Sequence, residues 1–149
     1  MLLTEFDDNR QAIINPEDLN EPLEGFPKIA VSCFSRSTFQ RMLEMFPHEL
    51  IYETSMANVA IPIYKLVIDE KELALFNAPV GASACVAILE DIFALGTDKL
   101  VLFGTCGVLD EDIKETSIII PSHALRDEGT SFHYVEASNE IAVNVGVLD

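Results

Sequence analysis

Residues 104–107 have the types and spacing of a loop that could bind a small molecule. An apolar run of strand length, residues 99–103, breaks abruptly into Gly104, Thr105, Cys106 and Gly107. Glycines let the backbone approach a ligand closely, and they bracket a hydroxyl and a thiol here. Because ligands of open α/β sheets bind at the carboxyl ends of strands, we predict that this loop forms the floor of the main ligand cavity.

A second stretch, residues 126–134, concentrates chemistry in nine positions. Its sequence RDEGTSFHY carries charges, hydroxyl groups, an imidazole and two aromatic rings. His133 fits two roles, a ligand contact or catalytic acid, and a packed histidine that donates to a backbone carbonyl. Cys106 is a poor candidate nucleophile, because no general base is next to it in its loop. Histidines and cysteines show no ligand spacing, so we expect no metal site.

Arg36 is the candidate anion-binding residue of the first half. It follows an apolar run, residues 28–33, and begins a predicted helix, where the N-terminal amides favour an anion. We expect the Arg36 side chain to face the 104–107 loop across the sheet edge. Between Arg41 and Arg126 there is no arginine, and Lys65 is the nearest substitute as a point charge.

Alternating apolar runs and helical patterns predict an α/β fold. The predicted strands are residues 28–33, 61–68, 72–78, 99–104 and 116–121. One predicted helix is capped by Ser35 or Ser37 and runs through Phe46; the other opens within residues 79–84 and runs to about Leu95, and residues 140–148 carry a further helix-compatible pattern. Gly96 is expected just after the second helix, where glycine commonly ends helices. The first two strands after residue 60 are close enough to pair as a hairpin.

The strings FGTCGVL and RDEGTSFHY, in this order around a β-rich run, resemble the nucleoside phosphorylase superfamily on its uridine phosphorylase side. The resemblance extends from about Lys28 to the end of the chain. It implies an α/β fold with a mixed twisted sheet and helices on both faces, incomplete at the C-terminus. Residues 1–27 would form an N-terminal arm, and residues 28–149 would form the truncated phosphorylase-like domain.

The resemblance also implies site roles. Arg36, Thr105 and Gly104 would bind phosphate, and Cys106, Gly107 and His133 would lie at the nucleoside. Phosphate would be the co-substrate and no other cofactor is implied. Relatives that use phosphate typically carry an arginine where this chain has Leu102, and this chain also lacks a glycine of the loop that ends at Arg36.

The implied activity is phosphorolysis of uridine or a purine nucleoside to the free base and ribose 1-phosphate. Two alternatives stay open. One is a nucleosidase that uses water, which the missing arginines favour. The other is a non-catalytic module that binds a nucleoside or only assembles with itself. The family builds sites across subunit contacts, so we expect a homo-oligomer.

The composition limits which partners the protein can bind and indicates its cellular compartment. The 149 residues carry a formal net charge of −16, which argues against nucleic acid and anionic membrane surfaces as partners. Three cysteines without a C-x-x-C motif indicate reduced thiols, and the chain shows no secretory signal or apolar run of membrane-spanning length. These features predict a cytoplasmic protein.

Overall fold

A computed structural model describes residues 5–143 and residue 146. Contacts divide the chain into two units, and each is described by itself. One unit comprises Gln11–Thr105, and the other comprises the described residues up to Arg10 together with those from Cys106 onward. In the described part of the chain, no helix is both long enough and apolar enough to cross a membrane.

A five-stranded mixed sheet forms the centre of the first unit. Its elements are α1 (Pro16–Leu19), β1 (Ile29–Cys33), α2 (Arg36–Met45), β2 (His48–Met56), β3 (Val59–Ile68), β4 (Lys71–Phe76), α3 (Ala82–Ala94) and β5 (Lys99–Phe103). The strand order is β2-β3-β4-β1-β5. Strands β2, β3 and β4 pair antiparallel, whereas β1 pairs parallel with both β4 and β5.

Helices α2 and α3 pack on opposite faces of this sheet. Successive residues of β4 alternate between two clusters, because strand side chains alternate in direction. Ala74 and Phe76 pack in the cluster that contains Ile88 and Ile92 of α3. Leu75 packs in the other cluster, with Phe39 of α2. The structure therefore confirms the expected α/β class with a mixed sheet and helices on both faces.

The segment that precedes β1 packs against this sheet unit. Asn20 donates from its amide to Asp91 of α3 (2.8 Å) and accepts from the Tyr52 hydroxyl (3.3 Å), while Thr54 donates to the other oxygen of Asp91. Phe26 is 5% exposed and lies in the α3 cluster. The boundary expected between residues 27 and 28 stays a prediction, and the packing groups residues 11–27 with the sheet.

The second unit is loop-rich. It contains a two-stranded antiparallel sheet, β6 (His123–Leu125) with β7 (Glu140–Ala142), and a 3₁₀ helix at Thr130–His133.

Two sequence predictions for this unit are wrong. Residues 116–121 form no strand, and Thr116 has a positive φ of 65°, which is incompatible with extended backbone. The expected helical pattern at 140–148 begins as strand β7, because its first three residues pair with β6. Residues 144, 145 and 147–148 of that pattern lie outside the described residues.

Candidate functional site

The candidate site of the first unit lies where β1 and β5 end side by side. The two strands run parallel, and Cys33 is in register with Phe103. The backbone N–H of Phe34 extends the pairing by donating to the carbonyl of Phe103 (3.2 Å). Both following turns therefore leave the sheet at the same edge, as the sequence predicted.

A cavity of about 590 Å³ opens at this edge. It is lined by Phe34, Ser35, Val80, Gly81, Ala82, Cys85, Val86, Leu89, Leu102, Gly104 and Thr105. The volume falls within the range of small-molecule sites, which is about 300–1,000 Å³. The lining is apolar apart from the hydroxyls of Ser35 and Thr105 and backbone groups. None of these described lining residues has a charged side chain.

The Phe34 ring packs directly over the backbone of Gly104. A Cβ added at Gly104 would lie 3.2 Å from Phe34 Cδ2, closer than most real Cβ contacts. Gly104 is therefore needed for close packing rather than for an unusual φ. This contact makes Phe34 a wall of the cavity.

Buried polar contacts fix the chain that leads from β4 to the cavity residues Val80 and Gly81. Ser32 is fully buried, and its hydroxyl accepts a hydrogen bond from the backbone N–H of Ala78 (3.0 Å). Asn77 donates from its amide to the carbonyl of Cys33. These two bonds tie the chain after β4 to the end of β1. Gly81, with φ of 111°, then begins α3 at the cavity, a conformation that favours glycine.

Arg36 lies in the same turn as Ser35 but lines a different cavity. Its neighbours there include Phe39, Gln40 and Asn77, and its side chain is exposed. Arg36 and Thr105 therefore line different cavities, and the expectation that Arg36 faces the 104–107 loop stays a prediction. Lys65, the other candidate cation, lies within 3.4 Å and 3.7 Å of carboxylate oxygens of Glu49 and Glu72, respectively.

In the second unit, the RDEGTSFHY segment is organised around Arg126. This arginine is 7% exposed, and its guanidinium lies 4.2 Å from the centre of the Phe132 ring. It donates hydrogen bonds to the hydroxyls of Ser131 and Ser138 and to the carbonyls of Val135 and Glu136. Several residues of the motif thus bond to one another.

Glu128 caps the 3₁₀ helix. Its carboxylate accepts hydrogen bonds from the backbone N–H groups of Thr130 (2.7 Å) and Ser131 (3.1 Å). The pKa of Glu128 is lowered, chiefly by a hydrogen bond from the Ser131 side chain and further by backbone bonds, against a smaller effect of burial. The charged form of Glu128 therefore fits this turn best.

The expected nucleoside residues Cys106, Gly107 and His133 all belong to the second unit and are exposed there. His133 ends the 3₁₀ helix. The thiols differ in environment, since Cys33 and Cys85 are buried in the first unit and Cys106 is exposed. Burial raises the pKa of both Cys33 and Cys85. Among the described residues, no group of three histidine, cysteine or acidic side chains could hold a metal ion.

Sequence reasoning missed three residues that shape the first cavity. Phe34 and Ser35 line it, and Ser32 bonds to Ala78 in the chain that leads to the cavity residues Val80 and Gly81. A signal for Ser32 was present, because a serine inside an otherwise apolar buried strand needs a hydrogen-bond partner. No comparable signal identified Phe34, whose role depends on the packing of two strands distant in sequence.

Residues 28–147 match the family described as the phosphorylase superfamily, and the chain belongs to this family. The match covers both the 104–107 loop and the RDEGTSFHY segment. It confirms the resemblance to the nucleoside phosphorylase superfamily drawn from those two strings.

Known proteins and solved structures agree with this assignment. A guanosine phosphorylase from Halorubrum lacusprofundi is 27% identical over 74 residues, which cover 48% of this chain and 31% of that protein. The structure of uridine phosphorylase from Vibrio fischeri has a TM-score of 0.72 at 17% identity, covering 93% of this chain and 56% of that one. The chain thus spans little more than half the length of that structure, and the likeness shows the fold alone.

Proposed function

We propose that this chain cleaves the N-glycosidic bond of nucleosides with phosphate as the acceptor. The products would be the free base and ribose 1-phosphate, with uridine or a purine nucleoside as substrate. One observation supports this most directly. In a chain of the phosphorylase superfamily, Gly104 and Thr105 line a ligand-sized cavity at the carboxyl ends of two adjacent parallel strands.

In this reaction a phosphate oxygen forms a bond to C1′ of the ribose as the C1′–N bond breaks. The base nitrogen keeps the electron pair and takes up a proton. The protein's task is to position the two reactants and stabilise developing charge, which requires no covalent intermediate. Thr105 would donate its hydroxyl to the phosphate beside the amide of Gly104. Cys106, Gly107 and His133 would contact the nucleoside.

Arg36 would supply the positive charge for phosphate. Its side chain is exposed, and exposed side chains change rotamer within nanoseconds. In the proposed complex the guanidinium turns from its own cavity towards the anion held at Thr105. Hydrogen bonds between an arginine and a phosphate are charge-assisted and about twice as strong as neutral ones.

Hydrolysis is the second candidate, and the cavity lining favours it. A phosphate dianion is costly to bury without a cation, and none of the described residues that line the cavity has a charged side chain. Leu102 lines the cavity at the position where phosphate-using relatives typically carry arginine. Water as the acceptor would need no cation there and would release free ribose.

Base release from uridine, inosine and guanosine, measured with and without phosphate, tests these proposals. Phosphorolysis requires phosphate and yields ribose 1-phosphate, whereas hydrolysis proceeds without it and yields ribose. Thr105→Val should slow phosphorolysis at least tenfold, while Ser83→Ala, which removes an exposed hydroxyl of α3, should leave the rate unchanged. Nucleoside binding without base release under either condition would indicate a non-catalytic module.

We further propose that phosphate is the sole co-substrate, that no cofactor is required, and that the chain acts as a homo-oligomer. Activity with phosphate that is retained after exhaustive dialysis against a chelator would support phosphate as the sole co-substrate and the absence of a required cofactor. Loss of activity on dialysis, restored by a metal ion, would contradict them.

A further inference from the structure

We infer that Arg126 is a positioning residue that fixes the 130–138 loop and thereby sets the place of His133. This inference rests on the proposed function for the part that His133 plays at the nucleoside. The proposed function assigns no role to Arg126 or to its contacts with the 130–138 loop.

The contacts of Arg126 span both arms of the loop. Its Nε donates to the Ser131 hydroxyl (2.9 Å), within the 3₁₀ helix that ends at His133. Its Nη1 donates to the Glu136 carbonyl (2.6 Å) and to the Ser138 hydroxyl (2.9 Å), beyond that helix. One planar guanidinium therefore fixes the distance between the outgoing and the returning chain.

The backbone of Arg126 makes a further tie to the returning chain. Its N–H donates to the carbonyl of Asn139 (2.9 Å), next to the pairing of β6 with β7. The Ser138 hydroxyl in turn donates to the carbonyl of Glu140 (2.8 Å). The loop is thus closed at its base by strand pairing and across its middle by the side chain of Arg126.

Burial of Arg126 makes these bonds obligatory. The residue is 93% buried, since its exposed fraction is 7%, and all of its hydrogen-bond acceptors are neutral oxygens. A buried charge must have its donors satisfied, or its burial becomes unfavourable. Lysine cannot replace it, because an ammonium group has three donors on one atom and no planar fork to reach both arms.

The same arrangement leaves His133 as an exposed group at the end of a fixed turn. Phe132 is held beneath the guanidinium at 4.2 Å, and Glu128 caps the start of the turn. His133 itself is exposed. A ligand contact on a fixed turn loses less entropy on binding than one on a mobile loop.

Histidine NMR signals test the positioning directly. The sequence has three histidines, so His133 and His123 can be followed beside His48 of the first unit. Arg126→Lys should shift and broaden the His133 ring signals and speed amide exchange over residues 130–138 at least tenfold. The His48 signals should not change. Arg41→Lys, the same substitution at an exposed site in α2, should alter none of these signals.

Uridine and guanosine connect the loop to binding. In the wild type they should shift the His133 signals, and Arg126→Lys should raise KM about tenfold with less than a threefold change in kcat, as expected for lost ground-state binding. Ser138→Ala, which removes one of the four acceptors, should have a smaller effect of the same kind. If nucleosides leave the wild-type His133 signals unchanged, the proposed contact of His133 with the nucleoside is wrong. The positioning of His133 by Arg126 is still tested by the His133 signals of the ligand-free proteins.

Two results would overturn the inference. One is an Arg126→Lys protein whose His133 signals, loop exchange rates and KM equal those of the wild type. The other is a pair of observations: His48 shifts as much as His133 in the Arg126→Lys protein, and a folded Ser138→Ala protein has the His133 signals of the wild type. Arg126 would then support folding in general and would not position His133.

Discussion

At the scale of single residues, the two glycines of the 104–107 loop have different surroundings. A Cβ at Gly104 would press on the Phe34 ring at 3.2 Å, whereas a Cβ at Gly107 would meet nothing within 4 Å. We expect Gly104→Ala to destabilise the protein by about 1 kcal/mol, at the low end of overpacking costs, because Phe34 is partly exposed and can shift. Urea unfolding measures this. Gly107→Ala is the control, and a cost as large as that of Gly104→Ala would contradict the explanation by packing.

The three thiols should differ in reactivity because the thiolate is the reactive form. Cys33 and Cys85 are buried, and burial raises the pKa of each, whereas Cys106 is exposed. Titration with a chromogenic disulfide at neutral pH should show one fast thiol and two that react only on unfolding. Cys106→Ser should remove the fast phase. A fast phase that persists in this variant would show that a buried thiol is accessible.

At the scale of secondary-structure elements, Ser35 both begins α2 and lines the cavity. Its hydroxyl accepts a hydrogen bond from the Thr38 N–H (3.2 Å), which satisfies one of the open donors of the first turn. We expect Ser35→Ala to cost about 1 kcal/mol in the free energy of unfolding. Ser83→Ala, in the first turn of α3 where serine caps nothing, should cost less than half of that. Equal effects would show that Ser35 does not act as a cap.

The 3₁₀ helix at Thr130–His133 should depend on pH through Glu128. Hydrogen bonds from Ser131 and Thr130 lower the pKa of Glu128 in the folded chain. A group whose folded pKa is lowered contributes stability that is present above its unfolded pKa and lost as the pH falls through its folded pKa. Amide exchange at Thr130 and Ser131 should therefore speed up, relative to its intrinsic rate, only below the ordinary pKa of 4.5. Glu128→Gln should abolish this dependence, and an unchanged pH profile in the variant would exclude Glu128 as its cause.

Most elements of the sheet unit were predictable because each corresponds to one apolar run or one helical pattern in the sequence. The runs at 28–33 and 99–104 were identified as strands, and both form, paired in parallel. Strand β2 was missed, since its burial is irregular and most of its residues are at least partly exposed. The run at 116–121 failed for the opposite reason. Its isoleucines favour a strand, but Ile118 is 88% exposed and no described neighbour pairs with it.

The candidate site was predictable only where its residues lie together in one strand-to-loop turn. Gly104 and Thr105 line the cavity as expected, because strand and loop are continuous in sequence. The side of the turn taken by Arg36 was not predictable, since a shift of one residue at a helix start changes which cavity a side chain lines. Arg126 was noted as a charge in a site-like segment, yet its burial depends on acceptors up to twelve residues away.

At the scale of the whole molecule, charge and apolar surface act in opposite directions on self-association. Strand β5 is an edge of the described sheet, and Val101, Leu102 and Phe103 on it are 54%, 45% and 54% exposed. Apolar edge strands favour pairing with another chain. The net charge of −16 opposes it through repulsion between copies. Association should therefore strengthen when salt screens this repulsion.

Sedimentation velocity at low and high salt measures that balance. The Debye length falls from about 30 Å at 0.01 M salt to about 8 Å at 0.15 M, so the change in repulsion is large over this range. We expect mainly monomer at the lower salt concentration and a dimer or larger species at the higher salt concentration. Val101→Lys should reduce association, because a lysine on an edge strand opposes pairing. Val67→Lys, on the interior strand β3 with 41% exposure at Val67, is the matched control. A monomer at both salt concentrations, or equal effects of the two variants, would show that the β5 edge does not drive assembly.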